Sequence, residues 1–98
     1  MSVAETILAQ LGGRKFTTMT GAKHFIGDGN SLTLRLPSRF AKNGINVVKI
    51  TLTPADEYDI VFSKLWGTKL TFVSECKGVY CDQLQEIFTE HTGLDTHL

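Results

Sequence analysis

Cys76, Cys81, His91 and His97 are the side chains most able to hold a metal, and their spacing is C-x4-C followed by H-x5-H. A tetrahedral zinc would need all four ligand atoms about 2.0–2.3 Å from one point. Cys81 and His91 stand ten positions apart in a stretch of helical periodicity, which separates them by about 15 Å along the axis. The usual linker of about twelve residues between cysteine and histidine pairs is also missing. No metal is expected. Nucleophilic catalysis needs a cysteine or serine beside an oriented base. Cys81 opens the last helical stretch with the carboxylate Asp82 beside it, and His24 lies far upstream. Asp56, Glu57 and Asp59 are clustered carboxylates, but Pro54-Ala55-Asp56-Glu57 reads as a hairpin turn, where acidic residues face water. Gly27-Asp28-Gly29 fits neither a dinucleotide fingerprint nor a phosphate loop, and reads as a turn. No cofactor is expected, and no constellation specifies a reaction.

Charge is the stronger lead. The chain is neutral overall, yet residues 1–53 hold seven cations against two carboxylates, while residues 54–98 hold three cations against eight. The halves therefore carry +5 and −5, unless folding interleaves the signs. The basic half offers Arg14, Lys15, Lys23, Arg35, Arg39 and Lys42, with Phe40 between the last two. Cations beside an aromatic on a sheet or loop suit single-stranded nucleic acid, through phosphate attraction and base stacking. In the acidic half, Asp82, Glu86 and Glu90 recur at i, i+4 and i+8. On one helix they would form a single stripe, suited to water or to a basic partner protein.

These residues must be positioned by short elements. Ser2 and Glu5 have capping-box spacing, Val3, Ala4, Ile7, Leu8 and Leu11 form a helical apolar stripe, and Gly12-Gly13 stops it. Lys15–Thr20 is rich in β-formers and reads as a strand, followed by another over Ala22–Ile26. Gly27–Asn30 is a turn signal. Ser31–Leu36 alternates, with Leu32, Leu34 and Leu36 on one side and Arg35 on the other. Residues 37–44 form a loop. Ile45–Thr53 is the longest β-rich run. Tyr58, Ile60 and Phe62 alternate again, and after a turn near Trp66-Gly67-Thr68 so do Leu70 and Phe72. Tyr80, Leu84, Ile87, Phe88 and His91 follow a helical stripe. The fold expected is α+β: an antiparallel sheet of about five or six strands, with an N-terminal and a C-terminal helix packed on one face. The expected core is Leu32, Leu34, Val48, Ile50, Leu52, Ile60, Phe62, Leu70, Phe72, Leu84, Ile87 and Phe88.

Ninety-eight residues suit a single domain with a modest core. No stretch is long and apolar enough to span a membrane, and the start lacks the pattern of a signal peptide. Two cysteines without an export signal are expected to be reduced thiols in a cytoplasmic protein. The segments Ile7-Leu8-Ala9-Gln10-Leu11-Gly12-Gly13-Arg14-Lys15-Phe16 and Met19-Thr20-Gly21-Ala22-Lys23-His24-Phe25 resemble a family of small uncharacterised proteins encoded in bacteriophage and prophage genomes. Gly78-Val79-Tyr80-Cys81-Asp82-Gln83-Leu84-Gln85-Glu86-Ile87-Phe88, with Thr92-Gly93-Leu94, resembles that family's C-terminal helix. The resemblance implies an accessory role in the cytoplasm of an infected or lysogenic bacterium. It transfers no functional residue. The expected function is thus non-enzymatic: contact with nucleic acid or a nucleoprotein through the basic half. The alternative is an inhibitor or adaptor that meets a host protein through the acidic helix.

Overall fold

A computed structural model describes residues 3–36 and 44–93. The chain opens with α1 (Val3–Leu11) and α2 (Arg14–Thr20). Five strands follow: β1 (Lys23–Asp28), β2 (Ser31–Arg35), β3 (Val47–Leu52), β4 (Tyr58–Trp66) and β5 (Lys69–Val79). A 3-10 turn over Cys81–Gln83 leads into α3 (Leu84–Thr92). All neighbouring strands are antiparallel, and their order in the sheet is their order in the chain. The α+β expectation holds, with five strands.

The helices cover one sheet face. Leu32, Leu34, Val48, Ile50, Tyr58, Ile60 and Phe62 point into that layer and meet Ile7, Leu11, Phe16, Leu84 and Phe88. Period-2 alternation on the strands and period-3.6 spacing on the helices thus bury one shared core. Gly27 lets α1 come close to β1: a Cβ added there would sit 2.9 Å from the Cβ of Ala4. Tyr58 ties the layers together, its hydroxyl donating to Oε1 of Gln10 at 2.6 Å.

The structure corrects three sequence expectations. Lys15–Thr20 is not a strand; it belongs to α2. Inside the helix the hydroxyls of Thr17 and Thr20 donate to the carbonyls of Gly13 and Phe16, one turn back, so neither is left without a partner. Phe16 supplies the drive, fully buried with its ring edge-on to Phe88 at 5.0 Å. Burial of one aromatic outweighs the weak β preference of its neighbours.

The second correction concerns Leu70 and Phe72, which are each 60% exposed rather than in the core. Phe62 faces Ser74 across the ladder while Ser63 faces Phe72, so Val73 is the extra residue of a bulge. One inserted residue inverts the side-chain parity of everything beyond it. Ser74 and Cys76 therefore share the core side with Phe62 and Ile60, and Leu70 and Phe72 turn to the other face.

The third is the start of the last helix. Tyr80 is 55% exposed and precedes the 3-10 turn, so the core stripe begins at Leu84. Gln83 accepts the backbone N–H of Tyr80 at 3.3 Å, which anchors this start.

Candidate functional site

The helix-free face of the sheet has a composition set by register. One cross-strand row runs Lys23, Arg35, Val47, Ser63, Phe72 through all five strands. A second row runs Ile26, Thr33, Lys49, Val61, Glu75. At a strand spacing of about 4.8 Å, each row crosses roughly 19 Å. Lys23, Arg35, Lys49 and Phe72 are all exposed. A bulge in β1, where His24 takes a φ of 57°, lies between the Lys23–Arg35 pair and the Ile26–Thr33 pair.

Lys23 and Arg35 stand directly opposite each other. Like charges at such positions are destabilising, because their side chains are cross-strand neighbours. Among the described residues no carboxylate pairs with either, or with Lys49. The carboxylates on the strands of this face are Asp28 at the end of β1, Asp59 on β4, whose Oδ1 accepts the N–H of Gly78 at 3.4 Å, and Glu75 on β5. The +5/−5 division of the chain does not become a gradient across the sheet: β1–β3 carry Lys23, Arg35 and Lys49 with Asp28, while β4 and β5 carry Asp59 and Glu75 with Lys64, Lys69 and Lys77.

The structure brings together only part of the basic set expected from sequence. Lys23 and Arg35 form the directly opposed pair. Arg14 and Lys15 are exposed on α2, the helix whose Phe16 enters the core beside Phe88. Arg39, Phe40 and Lys42 lie outside the described residues. Among the acidic set, Asp82, Glu86 and Glu90 are all exposed, but Asp82 belongs to the 3-10 turn. An α-helical stripe therefore covers Glu86 and Glu90 alone.

Sequence reasoning missed Phe72 as a surface aromatic, since its exposure depends on the Val73 bulge, which no residue type announces. It also passed over Trp66, 77% exposed next to the Gly67–Thr68 turn. An aromatic beside a hairpin turn, where little can cover it, was the available signal.

The other chemistry-bearing residues are placed as follows. Cys76 pairs with Ile60 on the core side of β5, and Cys81 is exposed in the 3-10 turn. His91 stacks flat on Phe62, with ring centroids 4.6 Å apart, and its Nδ1 shares a hydrogen bond with Ser74 Oγ at 3.0 Å. His97 lies outside the described residues. Among the described residues no three His, Cys, Asp or Glu side chains come close enough to hold a metal ion. The Asp56–Glu57 pair sits in the β3–β4 turn, held by Thr53: its Oγ1 accepts the N–H groups of Ala55 and Glu57, both at 3.3 Å. No described helix is long and apolar enough to cross a membrane. Burial raises the Tyr58 phenol above its ordinary pKa, and the neighbouring Cys81 and Asp56 push the same way against the Gln10 hydrogen bond.

No protein-family model, curated protein or solved structure matches the chain.

Proposed function

We propose that this protein binds single-stranded nucleic acid on the helix-free face of its sheet, without catalysing a reaction. One observation carries the reading: Lys23 and Arg35 are directly opposed and have no carboxylate partner among the described residues, in the same cross-strand row as exposed Phe72. An anion between the two cations relieves their repulsion, and phosphate is the anion that repeats along a polymer. Phe72 offers a ring face on which a base can stack. Lys49, in the adjacent row, adds a third phosphate contact.

The contacts read backbone and ring faces, so the expected preference among sequences is slight. Taken with the resemblance to bacteriophage and prophage proteins, the reading is of an accessory protein in the cytoplasm of an infected or lysogenic bacterium.

The test is fluorescence anisotropy of a labelled oligothymidine at several salt concentrations, with wild type and the Lys23→Ala/Arg35→Ala double variant. Log affinity should fall linearly with log salt, and the variant should bind more weakly with a shallower slope. Absence of binding at low salt, together with capture of a host protein that is lost on neutralising Asp82, Glu86 and Glu90, would transfer the function to the acidic segment.

A further inference from the structure

The β4–β5 hairpin outruns the sheet. The last β3 partner of β4 is at Ser63, facing Val47, yet β4 continues to Trp66 and β5 starts at Lys69. Residues 64–71 thus form a two-stranded arm, with Lys64 opposite Thr71, Leu65 opposite Leu70 and Trp66 opposite Lys69. Alternation puts Lys64, Trp66, Lys69 and Thr71 on one side, and Leu65 and Leu70 on the other.

The Trp66 side is unusual in charge and exposure. The indole is 77% exposed. Lys64 Nζ lies 6.0 Å from the ring centroid, at the limit of a cation–π contact. Lys69 is the direct cross-strand partner of Trp66. Residues 60–74 include both lysines and no carboxylate. An exposed tryptophan between two lysines that have no carboxylate partner among the described residues is complementary to a base with phosphates on either side of it. An apolar or acidic protein segment would satisfy only half of that surface.

We infer that the arm is a second nucleic-acid contact, in which Trp66 stacks on one unpaired base while Lys64 and Lys69 hold the adjoining phosphates. The inference rests on the nucleic-acid reading of the sheet face and adds a distinct site to it. Asn46 ties the platform to the sheet. It brackets Leu65 in the middle of the arm, with Nδ2 donating to the carbonyl at 2.9 Å and Oδ1 accepting the N–H at 2.6 Å.

Trp66 is the chain's single tryptophan, so its emission reports the arm directly. The experiment titrates the full chain with oligothymidine of about sixteen nucleotides, the upper site size of a small single-strand binding domain. Anisotropy of the labelled oligonucleotide and emission of Trp66 are followed together. Emission should quench in step with anisotropy. Trp66→Ala should weaken binding by about 5- to 100-fold with an unchanged melting temperature, because the ring is not in the core. Trp66→Phe should retain most of the affinity. Lys64→Ala and Lys69→Ala should each flatten the salt slope by about one unit.

Binding by anisotropy with unaltered Trp66 emission and an unaffected Trp66→Ala affinity would overturn the arm site and leave the sheet-face reading standing. Equal quenching by a duplex with the same number of phosphates would overturn the stacking claim. A concentration-dependent blue shift without oligonucleotide, lost in Trp66→Ala, would assign the arm to a second copy of the chain and overturn the inference. No binding by either signal at low salt would remove both readings.

Discussion

Asn46 extends the sheet with its side chain just before β3 begins: its carboxamide pairs with both backbone polar groups of Leu65. Its own backbone N–H donates to the carbonyl of Ser63 at 3.0 Å, so the residue bonds β4 at two positions, Ser63 and Leu65. Asn46 is almost fully buried, and its amide therefore substitutes for a missing strand rather than for water. Replacing it with alanine should cost about 1–3 kcal/mol by chemical denaturation, since two bonds vanish and the Leu65 groups lose their partner. Amide exchange should accelerate at Leu65 and along the arm, while Ile50 and Ile60 change only with global stability.

Phe88 is fully buried and meets Phe16 edge-on, which couples α3 to α2. Phe88→Ala should cost about 3–5 kcal/mol, enough to unfold a domain of this size or bring it close to unfolding at ambient temperature. Thermal melting checks this, and a variant with the wild-type melting temperature would show that α3 is not part of the core.

Tyr58 sets an alkaline limit on stability. Its folded-state pKa lies above the ordinary value, so the folded chain keeps a proton that the unfolded chain releases above about pH 10. Stabilisation from this group is complete below that pH and is lost as pH rises through 10 towards the folded value. In denaturation measured from pH 8 to pH 11.5, Tyr58→Phe should be less stable at pH 8, having lost the Gln10 bond, and should fall less steeply above pH 10. Parallel alkaline limbs for the two proteins would count against the assignment.

The regular parts of the fold were legible because their patterns had one meaning. Leu32 and Leu34, Val48 and Ile50, and Ile60 and Phe62 alternate without interruption, and Leu84 and Phe88 recur one helical turn apart. Phe72 was not legible, because a one-residue bulge reverses its direction and leaves no mark in composition. Phe16 was misread for a different reason: Lys15–Thr20 carries β-formers, and only contact with distant Phe88 makes helix the better state. At the candidate site, the charge division between halves was visible from residue counts. On the sheet that division is broken up by Asp28 on β1 and by Lys64, Lys69 and Lys77 on β4 and β5, which counts by half cannot disclose. The Lys23–Arg35 opposition depends further on register.

That opposition links binding and stability in opposite senses, which provides the sharpest test of the sheet face. Without ligand, Lys23 repels Arg35, so Lys23→Gln should raise the melting temperature slightly, by about 1–3 °C. With oligothymidine present, the ranking should reverse. Wild type gains stability with the logarithm of one plus the ligand concentration over its Kd, whereas the variant binds more weakly and gains less. The rise in wild type should shrink as salt increases, because counterion release drives phosphate binding. Neutralising Asp82, Glu86 and Glu90 together should leave the ligand-induced rise unchanged or slightly larger, those carboxylates lying outside the row. If Lys23→Gln instead lowers the melting temperature with and without oligonucleotide alike, Lys23 stabilises the sheet edge by packing. The opposed cations then have no anion to accommodate.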